Sequence, residues 1–141
     1  MREKLNCILL IDDDEVTNFL NAKILNKIQV AYEIKIVKNG LEALQFITSW
    51  NESGLCPELI LLDLHMPVLD GFEFMNSFSQ LEFENKDSVQ IAVITSSDNP
   101  NDLDMARSLG IKHYFMKPFK EETMKAFFAN ELKFDYIFSR N

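Results

Sequence analysis

The sequence is poor in the residues that build linkers, disulfide frameworks and zinc sites. Its 141 residues include four glycines, four prolines and two cysteines, and no segment has a linker's composition or an internal repeat. Cys7 and Cys56 lie far apart without C-x-x-C spacing, so we predict reduced thiols, which are typical of a cytoplasmic protein. The length fits a single domain over residues 1–141, with its core over 5–132 and a C-terminal extension over 133–141.

The chain also lacks a long hydrophobic run and an excess of basic residues. Its first apolar stretch spans about seven residues, which is too short for a signal peptide's core or a transmembrane helix. Fourteen basic residues against 22 acidic ones give a formal net charge of −8. Nucleic-acid-binding faces are normally basic, and anionic membrane surfaces repel acidic proteins. We therefore expect neither nucleic acid nor a membrane as a partner.

What the sequence does contain is an alternation of short apolar runs with stretches of helical periodicity. Residues 5–11, 59–62 and 89–95 are apolar runs that stop at a polar residue, as buried strands do. Residues 32–37 and 111–116 mix polar and apolar side chains, which is typical of partly exposed strands at the edges of a sheet. The five strands therefore divide into three central and two edge strands.

Helical patterns fill the intervals between these strands. In the first helix, Val16, Phe19 and Leu20 recur with later apolar residues at helical spacing, which predicts a buried face. Either Asp98 or Asn99 is predicted to cap the fourth helix, with a proline at its first position. Five strands alternating with five helices predict an α/β domain with a parallel sheet. Right-handed crossovers then give the order 2-1-3-4-5, a flavodoxin-like three-layer sandwich.

Polar residues close four of the predicted strands. Asp12 and Asp13 follow the first strand, Asp63 the third and Lys117 the fifth, while Thr95 ends the fourth. Because parallel strands end at one edge of a sheet about 4.8 Å apart, we expect these side chains to converge. Clustered carboxylates repel one another, and a hard dication such as Mg²⁺ relieves that repulsion. These groups suit in-line transfer of a phosphoryl group to a carboxylate.

The sequence resembles the CheY-like receiver domains of response regulators in two-component signalling. The resemblance covers nearly the whole chain, and its motifs fall in order at the strand ends. They are Ile-Asp12-Asp13, Leu-Leu-Asp63-Leu-His-Met-Pro67 with Asp70-Gly71, Ile-Thr95-Ser96, and Tyr114-Phe-Met-Lys117-Pro118-Phe119.

The resemblance implies a role for each position that would touch the phosphoryl group. Asp63 would be the phosphoacceptor, Thr95 would form a hydrogen bond with the phosphoryl group, and Lys117 would pair with it. Tyr114 would act with Thr95 as the switch. The bond before Pro118 would be cis, which proline permits because it lowers the cis penalty.

The resemblance also implies the ligands of a magnesium ion. Asp13 and Asp63 would bind the ion directly, Asp12 would act largely through water, and the backbone carbonyl of His65 would complete the protein ligands. Because Mg²⁺ prefers oxygen, we expect the His65 ring to face solvent rather than the ion.

A protein of this kind would be a signalling switch rather than an enzyme, and would catalyse only its own phosphorylation and dephosphorylation. The phosphodonor would be a sensor histidine kinase or a histidine phosphotransfer protein. The output would be binding of a protein target, or formation of a homodimer. The surface for either would be the face of the fourth helix, fifth strand and fifth helix, near Leu103, His113 and Phe128.

Three alternatives from other classes share parts of this pattern. A phosphohydrolase of the haloacid-dehalogenase class also uses an aspartate, Mg²⁺ and a lysine, but its nucleophile stands in an Asp-x-Asp motif, and adjacent Asp12 and Asp13 lack that spacing. A phosphorylation-independent interaction module would not need the intact Asp63, Thr95 and Lys117. A flavodoxin-type carrier would need amides and hydroxyls for a phosphate where this first loop is acidic. The aromatic residues of 133–141 either bind a partner or fold back over the domain.

Overall fold

A parallel sheet of five strands, flanked by helices on both faces, is the architecture of this chain. The computed structural model describes residues 4–51 and 57–132, and none of their helices has the length and apolar character needed to cross a membrane. The strand order is β2-β1-β3-β4-β5, which confirms the predicted order. The elements are β1 Leu5–Ile11, α1 Glu15–Ile28, β2 Ala31–Val37, α2 Gly40–Asn51, β3 Leu59–Leu62, α3 Gly71–Ser79, a 3₁₀ turn Lys86–Ser88, β4 Gln90–Thr95, α4 Pro100–Ser108, β5 His113–Met116 and α5 Glu121–Asn130.

Strand burial follows the position of each strand in the sheet. All of β3 and nearly all of β1 are buried, whereas β2 and β5 at the edges are largely exposed or half-buried. Within β1, Ile8 and Leu10 contribute to the core on one face, and Leu9 and Ile11 to the core on the other. Side chains alternate along a strand, so an apolar run of this kind must be covered on both sides.

The helices divide between the two faces of the sheet. One core contains residues of α1 and α5, with Phe128 as its largest fully buried side chain. The other contains residues of α2, α3 and α4 and is built around Phe74. The result is the three-layer arrangement that the sequence predicts. The predicted extension over 133–141 lies outside the described residues.

The predicted buried face of α1 is wrong in its first half. Val16 and Phe19 are each 65% exposed and Leu20 is 51% exposed, whereas Asn18 and Asn21 are buried. The Asn18 side-chain amide donates a hydrogen bond of 2.8 Å to the main-chain carbonyl of the residue that follows β1. That bond turns the polar side of the helix inward and leaves an apolar patch of three side chains in solvent. We call this patch (Val16, Phe19 and Leu20) the α1 patch.

The helices α3 and α4 both begin beside the carboxyl edge of the sheet with a capped first turn. At α3, the side chain of Asp70 accepts the N–H of Glu73 at 2.9 Å, and the side chain of Glu73 accepts the N–H of Asp70 at 3.1 Å. This reciprocal pair is a capping box. At α4, Asn99 is the N-cap and accepts the N–H of Asn101 at 3.0 Å, with Pro100 at the first helical position. Of the two predicted caps, the structure selects Asn99.

Candidate functional site

Three carboxylates meet at the carboxyl edge of the sheet. Asp12 and Asp63 directly follow the central strands β1 and β3 and are each 6% exposed, whereas Asp13 is exposed. The N–H of Asp63 bonds to the carbonyl of Ile11 at 2.9 Å, which continues the strand pairing up to the acid. One oxygen from each carboxylate lies within 4.8 Å of the other two. The sheet therefore assembles the cluster that the strand ends predict.

A lysine that follows the edge strand β5 pairs with two of these acids. Lys117 Nζ lies 2.8 Å from Asp12 Oδ2 and 3.5 Å from Asp63 Oδ2. Its backbone N–H donates to the carbonyl of Thr95 at 2.8 Å, which fixes the strand end beside β4. The peptide bond from Lys117 to Pro118 is cis. Burial works to lower the pKa of Lys117, but its hydrogen bonds and attraction to the two carboxylates together raise it.

One positive charge does not balance three carboxylates. The pKa of Asp63 is raised to about 6, first by burial and then by the charge of Asp12, while Lys117 acts in the opposite direction. Residual repulsion among oxygens is the condition that a hard, oxygen-seeking dication relieves. All three donors are carboxylates, so the residues present fit Mg²⁺ rather than a soft metal.

The two predicted switch residues lie on neighbouring strands, with Thr95 buried and Tyr114 half-buried. Thr95 at the end of β4 is 1% exposed, and its Oγ1 accepts the N–H of Ser97 at 3.1 Å. Tyr114 on β5 pairs with Val93 of β4. Its hydroxyl is buried and has no hydrogen-bond partner within residues 4–51 and 57–132. Burial, followed by the charge of Asp102, raises the pKa of Tyr114.

The loop after β3 runs close to the start of α3. The N–H of Gly71 donates to the carbonyl of Leu64 at 2.8 Å, and a Cβ added at Gly71 would lie 2.5 Å from the carbonyl oxygen of Asp63. Only a glycine permits this approach. The backbone between Asp63 and His65, which carries the predicted carbonyl ligand, is thereby held against α3.

Three contacts around this site are missing from the sequence-based prediction. His65 is largely exposed, as expected, but its Nε2 lies 2.7 Å from Asp102 Oδ2. Ser97 Oγ donates to the same oxygen at 2.5 Å. The third contact is the buried bond from Asn18 to the end of β1. The spacing of Asn99 and Asp102 suggests a capping box, so no sequence signal points Asp102 toward His65.

The sequence matches the response regulator receiver domain family over residues 8–129, a range that contains every site residue named above. The chain belongs to this family. It is a receiver domain of two-component response regulators, and five parallel strands in the order 2-1-3-4-5 are the fold of its structural neighbours. The comparisons give no support to the haloacid-dehalogenase alternative.

Relatives of this receiver domain are found in very different organisms. Response regulator Rcp1 of Synechocystis is 31% identical over 114 residues, covering 78% of this chain and 75% of Rcp1. Sporulation initiation phosphotransferase F of Bacillus subtilis is 28% identical over 119 residues, covering 84% of this chain and 85% of that protein. The chain spans only 6% of the hybrid signal transduction histidine kinase B of Dictyostelium discoideum, at 31% identity over 84% of the chain.

Solved structures with a similar fold include response regulators. The two-component response regulator of Cytophaga hutchinsonii superposes with a TM-score of 0.79 at 26% identity, covering 97% of this chain and 99% of that one. The Mn(2+)-bound form of response regulator Rcp1 superposes with a TM-score of 0.77 at 25% identity, covering 92% of this chain and 96% of its own.

Proposed function

We propose that this receiver domain accepts a phosphoryl group on Asp63 in a Mg²⁺-dependent reaction and signals by phosphorylation-dependent protein binding. The observation that carries the proposal is the position of Lys117 Nζ, in contact with both Asp12 and Asp63 inside the carboxylate cluster. A lysine held beside a buried carboxylate is suited to neutralise the equatorial oxygens of a phosphoryl group during transfer.

The proposed transfer is a substitution at phosphorus. An Asp63 oxygen forms a bond to phosphorus as the phosphorus–nitrogen bond of the donor's phosphohistidine breaks, and the departing imidazole nitrogen keeps the electron pair. With a pKa of about 6, the Asp63 carboxyl is mostly ionised at neutral pH and can act as the nucleophile. The product is an acyl phosphate, which Lys117 and the Thr95 hydroxyl would hold. As a switch, the domain would catalyse only this transfer and the later hydrolysis of the acyl phosphate, in which water takes the phosphoryl group as inorganic phosphate and the Asp63 carboxylate is regenerated.

Asp13, Asp63 and the backbone carbonyl of His65 would hold Mg²⁺, with Asp12 acting largely through water. When bound, the ion neutralises charge on the transferring phosphoryl oxygens. The donor chemistry of the three carboxylates supports this assignment. The Rcp1 neighbour, whose structure is described as Mn(2+)-bound, supports a divalent ion in a similar fold.

The proposed phosphodonor is a sensor histidine kinase or a histidine phosphotransfer protein. Any donor has to bring its phosphohistidine to Asp63. It must therefore cover the carboxyl edge of the sheet, where α1 begins. The α1 patch lies in the first turns of that helix and offers apolar side chains in solvent. Exposed apolar patches of this kind mark protein interaction sites. The names of two relatives, a hybrid histidine kinase and a sporulation phosphotransferase, support a donor of this class.

The proposed output surface is the face formed by α4, β5 and α5, which would bind a protein target or a second copy of the chain. Drawing Thr95 toward the phosphoryl group would vacate space that the Tyr114 ring can enter. Two positions of one ring make a bistable element that turns a local charge change into a change of surface. Met105, Leu109 and Met116 place exposed apolar area on α4, the loop after it and β5.

A cytoplasmic location remains a prediction from the cysteine pattern.

The test is intact mass measurement after incubation with Mg²⁺ and acetyl phosphate, or with a phosphohistidine protein. We expect one phosphoryl adduct that mild base removes, because acyl phosphates are labile. Asp63→Asn should carry no adduct, and chelation of the ion should prevent its formation. Asp70→Asn, an acid in the same loop, should label like the wild type. Labelling of Asp63→Asn at the wild-type level would contradict the assignment.

A further inference from the structure

One carboxylate oxygen joins the loop that contains Asp63 to the loop that follows β4. Asp102 Oδ2 on α4 lies 2.7 Å from His65 Nε2 in the loop after β3, and accepts the Ser97 hydroxyl of the loop after β4 at 2.5 Å. Ser97 in turn donates its N–H to Thr95 Oγ1 at 3.1 Å. A continuous set of hydrogen bonds therefore runs from Thr95 through Ser97 and Asp102 to His65. We call these four residues the Asp102 latch.

The position of Asp102 in its helix makes these bonds unusual. Asp102 stands three residues after the N-cap Asn99, where an acid ordinarily reaches back to the N-cap N–H and completes a capping box. That N–H instead donates to Ser97 Oγ at 3.2 Å. The acid at the same position of α3, Glu73, does make the local bond. Asp102 is therefore aimed away from its own helix end and toward the phosphoacceptor site.

The donors in the latch can be assigned. A carboxylate oxygen accepts hydrogen bonds, so the Ser97 hydroxyl and the His65 ring are the donors. His65 Nε2 must then carry a proton. Hydrogen bonds to an ionised acceptor are about twice as strong as neutral ones. The Asp102 side chain is only 17% exposed, which limits the competition from water.

We propose that Asp102 is a positioning residue that holds the loop after β4 in its unphosphorylated position. The proposal rests on the proposed function, in which the Thr95 hydroxyl moves toward the phosphoryl group. Because the Ser97 N–H is hydrogen-bonded to Thr95 Oγ1, movement of Thr95 draws Ser97 away from Asp102. The same movement strains the hydrogen bond between Asp102 and His65. The latch therefore opposes the phosphorylated conformation, and opening it favours that conformation.

The experiment measures the Kd of beryllofluoride, a phosphoryl mimic, at saturating Mg²⁺ and one fixed pH. Asp102→Asn keeps the shape but loses the charge of the acceptor, and we expect it to bind the mimic about fivefold tighter. His65→Gln should bind it about twofold tighter. The double variant should be no tighter than Asp102→Asn alone, because both changes break one network. Ser97→Ala breaks the same network at a third position and should also bind the mimic more tightly, which tests the latch if either of the other variants fails to fold.

Two controls separate the latch from general effects of charge and helix capping. Asp104→Asn removes an exposed acid from the same helix, and Glu73→Gln neutralises the equivalent position of α3 while keeping a capping side chain. Both should bind the mimic with the wild-type Kd. In addition, with Mg²⁺ alone, the Tyr114 resonances of Asp102→Asn should shift part of the way toward their mimic-bound positions.

The outcomes are distinguishable. The latch would be overturned if Asp102→Asn bound the mimic with an unchanged or higher Kd, or if Asp104→Asn showed an equal gain in affinity. Either result would leave the proposed function intact. Failure of the wild-type protein to bind the mimic at all would instead overturn the proposed function. A contact with a purely structural role would lower the melting temperature without moving either the Kd or the Tyr114 resonances.

Discussion

The helices α3 and α4 follow the neighbouring strands β3 and β4 and use their first turns differently. At α3 the acid Glu73 closes on its own N-cap, and the helix start is held against the backbone of the phosphoacceptor loop through Gly71. At α4 the corresponding acid, Asp102, leaves its helix end and contacts two loops. The bonds at α3 are local to the helix and its adjacent backbone, whereas those at α4 join side chains of separate segments.

This difference gives the two helix starts different roles, with α3 as a fixed support and α4 as a part that can move. A helix start whose bonds close locally gains stability without depending on its neighbours, so α3 can serve as a fixed support for the backbone around Asp63. A helix start whose acid bonds to two loops can exist in two arrangements, and a ligand that prefers one of them shifts the balance. We expect changes at α3 to alter stability and changes at α4 to alter affinity for a phosphoryl mimic.

The largest expected effect concerns Asp63 itself, which neither helix start neutralises. Its pKa is raised from 3.8 to about 6 in the folded protein, first by burial. The folded state therefore binds a proton more tightly than the unfolded chain, and the metal-free free energy of unfolding should fall as pH rises from about 4 to above 6. The loss should reach up to about 3 kcal/mol. Urea unfolding at a series of pH values measures it.

The control for this prediction removes the titrating group. Asp63→Asn should abolish the slope and be more stable than the wild type near neutral pH without metal. Asp70→Asn should keep it, and saturating Mg²⁺ should restore stability to the wild type. A slope that survives in Asp63→Asn would show that another group is responsible.

The second prediction compares the first residue of α3 with the first residue of α4. In Gly71→Ala, the new methyl group would lie 2.5 Å from the carbonyl oxygen of Asp63, so the backbone must move. We expect a loss of about 2 kcal/mol in the free energy of unfolding, with weaker Mg²⁺ binding. Pro100→Ala at the exposed start of α4 should cost about 0.5 kcal/mol and leave metal binding unchanged. Equal losses of unfolding free energy in the two variants would contradict the distinction between the starts of α3 and α4.

Much of the fold could be predicted because it depends on local pattern. Apolar runs covered on both faces identify the central strands, and mixed runs identify the edges. The prediction for α1 was wrong because helical spacing shows that apolar residues share a face, not that the face is buried. In α1 the hydrogen bond of Asn18 to the end of β1 turns the opposite face inward. A polar side chain with a tertiary partner therefore overrides the apolar pattern.

The same reasoning explains which parts of the site could be predicted. Asp12, Asp63 and Lys117 are brought together by the parallel sheet, which places all strand ends at one edge, so their convergence follows from topology. The contact between His65 and Asp102 joins residues 37 positions apart, one in the loop after β3 and the other in the first turn of α4. Loop geometry is not encoded in periodicity, and the local capping pattern favours a different partner for Asp102.

The third prediction concerns the N-caps of the same two helices. Asp70→Ala and Asn99→Ala each remove one side-chain acceptor from a first turn, so each should lower the free energy of unfolding by about 1 kcal/mol. Their effects on beryllofluoride binding should differ. Asn99→Ala frays the turn that carries Asp102 and should tighten binding about twofold, whereas Asp70→Ala loosens the support beside Asp63 and should not tighten it. Calorimetric titration of both variants at saturating Mg²⁺ measures this difference, and tighter binding by Asp70→Ala would contradict the division between the two helix starts.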